Sequence, residues 1–140
     1  MTANLRTAIG FLGKAAVAAT LAVPFMMPAT AQAPALAMLD NLDRGQWELR
    51  YRDGRPSEKI CVRTGRELIQ IRHPGRACNR TVIEDSAQEV TVQYSCRGDG
   101  YGRTSIRRET RSLVQIEAQG IAGTKQFEFT AEARRTGNCR

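Results

Sequence analysis

From residue 125 to residue 133 the chain alternates without a break, with Phe127, Phe129, Ala131 and Ala133 on one side and Gln126, Glu128, Thr130 and Glu132 on the other. Successive strand side chains point to opposite faces of a sheet, so this run fits a β-strand with one buried and one wet face and does not fit an amphipathic helix. The pattern recurs along the chain. Residues 46–52 carry Trp47, Leu49 and Tyr51 in alternation, residues 58–62 carry Ile60 and Val62, and residues 81–83 and 90–94 carry Val82 and Val92. Residues 103–109 and 113–119 follow with Thr104 and Ile106, then Val114, Ile116 and Ala118. Asp53-Gly54-Arg55-Pro56, the polar segment 84–87, the glycine-rich segment 98–102 and residues 120–123 supply the turns. The predicted fold is mainly β: a single antiparallel meander sheet or small curved barrel of about seven strands. Ile60 and Val62 are expected to face Leu49 and Trp47.

One short helix is expected as well. Thr64-Gly65-Arg66-Glu67 has the spacing of a capping box, and Leu68, Ile69 and Ile71 follow as an apolar stripe. His73-Pro74-Gly75 ends it after about two turns, too few to stand without docking on the sheet.

The four cysteines Cys61, Cys78, Cys96 and Cys139 match no zinc template, since no two are separated by two to four residues and His73 is the single histidine. No Cys-x-x-Cys pair is present for thiol redox chemistry. An even count in an oxidising compartment reads as two disulfides. If Val82 faces Val92 across a hairpin, the same register sets Arg80 opposite Tyr94 and Cys78 opposite Cys96, at a separation a disulfide spans. Cys61 to Cys139 follows by elimination.

The first residues read as a secretory signal. Arg6 and Lys14 make a basic start, an apolar run extends over 15–27, and Ala29-Thr30-Ala31 precedes Gln32. Cleavage after Ala31 is the first choice; cleavage after Ala33, which leaves Pro34 next to the cut, is the second. The apolar run is shorter than the ~20 residues of a spanning helix and contains Pro24, so an uncleaved anchor is disfavoured. The expected organisation is a signal peptide over 1–31, a flexible lead-in over 32–41, and one disulfide-bonded β domain over 42–140. A periplasmic protein, neither lipidated nor spanning the membrane after cleavage, is the expected product. The formal charge of +7 falls to +5 without Arg6 and Lys14, and among the remaining cations only Lys59 and Lys125 are lysine. Arginines scattered over solvated faces read as compositional bias rather than as a nucleic-acid site.

Several landmarks taken together resemble an exported proteobacterial family known as domain of unknown function 3617. They are Gly45-Gln46-Trp47-Glu48 at the first strand, Cys61-Val62-Arg63-Thr64 leading into the short helix, Cys78 and Cys96 around the next hairpin, and Gly137-Asn138-Cys139 at the terminus. The resemblance covers roughly residues 42–139. It implies an envelope location and a β-rich fold, and it brings no catalytic residue. Gly65 departs from it, because such proteins carry a proline at the first helical position.

No constellation in the chain specifies an enzyme. His73 sits between Arg72 and Pro74 and is expected to be a solvated loop residue. The carboxylate pairs Glu84-Asp85 and Glu128 with Glu132 fall in a turn and on a polar strand face, and Ser105 and Ser112 have no histidine or lysine partner. The glycines of 98–102 lack the lysine and following helix of a phosphate-binding loop. The expected function is a non-enzymatic envelope interaction or structural module with no cofactor. Its partner would be an envelope protein or acidic surface, met through a strand edge or an outer face bearing Arg103, Arg107 and Glu117 with Gln115 and Gln119. The alternative is a small barrel whose Trp47, Tyr51, Tyr94, Phe127 and Phe129 line a cavity for an apolar ligand.

Overall fold

Val82 stands opposite Val92, Arg80 opposite Tyr94 and Cys78 opposite Cys96, the register expected of this hairpin. The computed structural model describes residues 35–140. Its strands are β1 (Gly45–Tyr51), β2 (Glu58–Val62), β3 (Cys78–Asp85), β4 (Glu89–Cys96), β5 (Gly100–Thr110), β6 (Leu113–Ala122) and β7 (Lys125–Gly137). The signal-peptide reading of 1–31 lies outside the described residues, as do residues 32–34 of the lead-in. Among the described residues no helix is long and apolar enough to cross a membrane.

All seven strands form one antiparallel sheet in the order β2-β1-β7-β6-β5-β4-β3, which does not close into a barrel. The chain runs β3 to β7 as a meander, while β1 inserts against the far side of β7 and carries β2 as the outer edge. Consecutive strands are therefore neighbours everywhere except at β2 and β3, which occupy opposite edges. The first hairpin pairs Trp47 with Ile60 and Leu49 with Glu58, two residues off the register expected for it. The buried side of each strand is unchanged, because a shift of two preserves the face.

Residues 63–77 connect the two edges as a strap over the inward face. Leu68, Ile69, Gln70 and Ile71 are all buried, together with His73. Four consecutive buried residues leave no exposed side for an amphipathic helix, and the expected two-turn helix is instead one 3-10 turn at Arg66–Leu68. The capping exchange survives in part: Glu67 accepts from the Thr64 amide at 3.2 Å, and the Thr64 hydroxyl accepts from the Arg66 amide. Gly65 adopts φ +79°, and a Cβ there would lie 2.9 Å from that of Leu39. A proline, with φ fixed near −65°, does not fit that conformation. Beyond the turn, the Gln70 side-chain amide donates to the carbonyls of His73 and Arg76. These bonds hold the strap where helical backbone bonds are missing, and Thr104 ties it to the sheet by donating to the Ile69 carbonyl at 2.6 Å.

The flexible lead-in of 32–41 needs correction over its described part. Leu36, Met38, Leu39 and Leu42 are buried in the core, around the short helix α1 (Ala37–Asp40). One helical turn is too brief to show periodicity, yet its side chains cover one end of the sheet, and Leu36 N–H reaches Asp85 Oδ2 at 3.1 Å. Both disulfides, Cys61–Cys139 and Cys78–Cys96, are formed.

Candidate functional site

His73 is 1% exposed, which overturns its reading as a solvated loop residue. The strap carries it inward, where its ring meets Tyr94 edge-on at 5.3 Å and Phe127 at 6.1 Å between ring centres. Nε2 lies 2.9 Å from the Asp99 carbonyl, which only accepts, so Nε2 carries a proton; in the neutral ring Nδ1, 3.1 Å from the Tyr94 hydroxyl, accepts from it. Asp99 O also accepts from Gly123 N–H, so one imidazole links the strap to two sheet turns. Glycines make the room. Gly102 and Gly120 face each other across β5 and β6, and a Cβ at Gly102 would sit 2.5 Å from Tyr94 Oη.

Burial pushes the Tyr94 phenol from its usual 10 up to about 12. Tyr51 is also raised to about 12, by burial and then by donating to Glu58 Oε2 at 2.7 Å. A phenol whose folded pKa is raised contributes stability that is whole below pH 10 and lost as the pH climbs toward 12. Urea unfolding of the parent should therefore show stability falling across that window, and Tyr94→Phe should fall less steeply. An equally steep decline in the variant would contradict this role for Tyr94.

Trp47, Tyr51, Tyr94 and Phe129 are buried and Phe127 is partly buried, so these aromatics are packed core. Tyr51 meets Phe129 edge-on at 5.3 Å, and the Arg72 guanidinium lies over both rings. The largest groove lies beside the strap. It has a volume of about 710 Å³ and is lined by apolar Ile60, Ile71, Pro74 and Ala77 together with charged residues of both signs, among them Glu58, Glu67, Arg76 and Arg80. Arg80 also donates to Gln70 Oε1 at 2.7 Å.

The outward face of the sheet collects the other candidate residues. Arg103 pairs across the strands with Gln119, Ser105 with Glu117, and Arg107 with Gln115; Gln119 and Glu117 continue to Glu128 and Thr130 on β7. Arg103 and Glu117 thus line one depression of about 290 Å³, and Arg107 and Glu117 line the next, of about 310 Å³. On its other side the first adjoins a larger one of about 520 Å³, which adds Gln93, Tyr101 and Gln126. Tyr101 is 51% exposed, an unusual position for a large aromatic ring. Sequence reasoning assigned residues 98–102 to a turn. Strand β5 in fact begins at Gly100, and alternation from there directs Tyr101 to the same outward side as Arg103.

Most of the remaining catalytic candidates are engaged in structural bonds, and the side chains of Glu84 and Glu128 are the exceptions among the described residues. Ser105 shares a hydrogen bond with Thr91 at 2.8 Å, Ser112 with Thr110 at 3.3 Å, and Glu132 pairs with Arg134. Among the described residues no group of three or more His, Cys, Asp or Glu is arranged to hold a metal ion. Comparison of the chain with protein-family models, with curated proteins and with solved structures finds no match.

Proposed function

We propose that this protein is an exported, periplasmic, non-enzymatic binding module that works through the outward face of its sheet. The observation that carries this reading is the set of polar side chains on that face. Arg103, Glu117, Gln93, Gln119, Gln126 and Tyr101 line adjoining depressions, and none of these side chains bonds to another protein group among the described residues. They stand on β4, β5, β6 and β7, strands paired on both sides, so their spacing is fixed before a ligand arrives. The histidine and serines that a hydrolase would need are engaged in structural bonds instead. Two disulfides fit an oxidising compartment, and the resemblance to domain of unknown function 3617 implies the same envelope location.

A second reading rests on the groove beside the strap. Its volume of about 710 Å³ falls in the range of small-molecule sites and its lining includes Ile60, Ile71, Pro74 and Ala77, so a ligand with an apolar part would bind there rather than within the sheet. Sedimentation with isolated cell envelopes separates the two readings. The parent protein should pellet with the envelopes, the double variant Gln119→Ala, Glu117→Lys should remain in the supernatant, and Arg80→Ala should pellet like the parent. Release by Arg80→Ala alone would favour the groove, and no pelleting of the parent would sink the proposal.

A further inference from the structure

We infer that the ligand of the outward face is an extended, uncharged, polyhydroxylated chain, that is, a glycan; this rests on the binding reading above. The depressions are not isolated. Arg103, Gln119 and Glu128 border both the 520 Å³ and the 290 Å³ hollows, Ser105 and Glu117 border both the 290 Å³ and the 310 Å³ hollows, and Gln93 and Tyr101 border a further one of about 330 Å³. Shared walls make one continuous trough over β3 to β7.

Its chemistry matches hydroxyl groups better than charges or apolar side chains. The carboxamides of Gln93, Gln119 and Gln126 each offer both donors and an acceptor, the combination that adjacent sugar hydroxyls satisfy in pairs. The exposed Tyr101 ring offers an apolar surface for the C–H face of a pyranose, with its hydroxyl in water. Charge on the walls is balanced: Arg52, Arg103 and Arg107 are matched by Glu89, Glu117 and Glu128. A polyanion such as nucleic acid or a sulfated chain would meet three carboxylates there, although the whole protein is basic at +7. A protein partner would be expected to find a cluster of apolar anchors at the centre of its footprint. The trough has amides, hydroxyls and balanced charges in that position, with Ile121 beside Tyr101 as its outward apolar side chain.

The edges of the sheet are poorer candidates for a partner strand. β2 is five residues long and carries Lys59, and β3 breaks its pairing between Val82 and Glu84, leaving Ile83 on a bulge. Short length, an edge lysine and a bulge each oppose strand addition.

The test is titration of the oxidised protein with three neutral hexasaccharides, cellohexaose, chitohexaose and maltohexaose, and separately with a heparin hexasaccharide, followed by amide NMR. At least one neutral chain should shift the side-chain amides of Gln93, Gln119 and Gln126, and heparin should not. Tyr101→Ala with Gln119→Ala should weaken that binding about tenfold while leaving the unfolding midpoint unchanged. Binding of heparin to the same amides, or of none of the neutral chains, overturns the glycan assignment. If the neutral chains fail while the parent still pellets with envelopes and protease treatment of those envelopes abolishes pelleting, the ligand is a protein. The binding reading then stands without the glycan.

Discussion

Replacing Cys61 and Cys139 together by serine is expected to lower stability by about 4 to 5 kcal/mol, against about 3 kcal/mol for the same replacement of Cys78 and Cys96. The difference follows from loop length, because the entropy removed from the unfolded chain grows with the logarithm of the residues enclosed, and the bridges span separations of 78 and 18. Position reinforces the entropy. Gln46 on β1 pairs with Cys61 on one side and with Gly137 on the other, so this bridge ties the edge strand β2 to the segment that leaves β7, two strands away in the sheet. Cys61 alternates away from Ile60 and Val62, which puts the sulfur on the outward face, clear of the core. The Cys78–Cys96 bridge ties an edge strand only to its immediate neighbour. For a domain with a typical total of about 5–15 kcal/mol, loss of the longer bridge alone removes a large share of the margin. Urea unfolding monitored by circular dichroism measures both double variants. If the Cys78 and Cys96 variant proved the less stable of the two, the loop-length argument would be wrong for this protein.

The parts of this fold that were legible from sequence are those in which alternation and a turn act on neighbouring strands. Val82 and Val92 were enough to set the β3–β4 register, because one face of that pair is buried and a slip of one residue would expose it. Arg103, Arg107 and Glu117 were legible by the same logic. What alternation cannot show is where a connection goes once it leaves a strand. By pattern alone residues 63–77 give a docked two-turn helix ended by His73-Pro74-Gly75, although a 15-residue link carrying Leu68, Ile69 and Ile71 is long and apolar for a surface connection. Only the pairing of β1 with β7 puts β2 and β3 on opposite edges and obliges that link to cross the sheet. That long-range pairing has no local signature. The burial of His73 and the packing of Leu36, Met38 and Leu39 were hidden for the same reason, since each depends on a surface assembled from distant strands.

Replacing His73 by alanine is expected to cost about 3 kcal/mol of stability, and the effect tests whether the strap is part of the core or a cover laid upon it. Two losses combine. The imidazole fills space between Tyr94 and Phe127, so its removal leaves a cavity of the kind that costs a few kcal/mol when large buried side chains are truncated. The Tyr94 hydroxyl, itself buried, loses its acceptor, and an unpaired buried hydroxyl costs about 1–3 kcal/mol. The Asp99 carbonyl keeps its bond from Gly123 N–H, so that group is not orphaned and adds little. His73→Phe separates the two terms, because it restores volume without supplying an acceptor to Tyr94. It should recover part of the loss, and adding Tyr94→Phe to it should recover more, since the pair removes both ends of the bond. The outward face should be unaffected: envelope pelleting by His73→Ala, at a temperature where it is folded, should match the parent. A loss below about 1 kcal/mol in His73→Ala would mean that the strap is held by its other buried residues and bonds, without the histidine. A fully folded variant that no longer pelleted would instead give this histidine a direct part in function and count against the non-enzymatic reading.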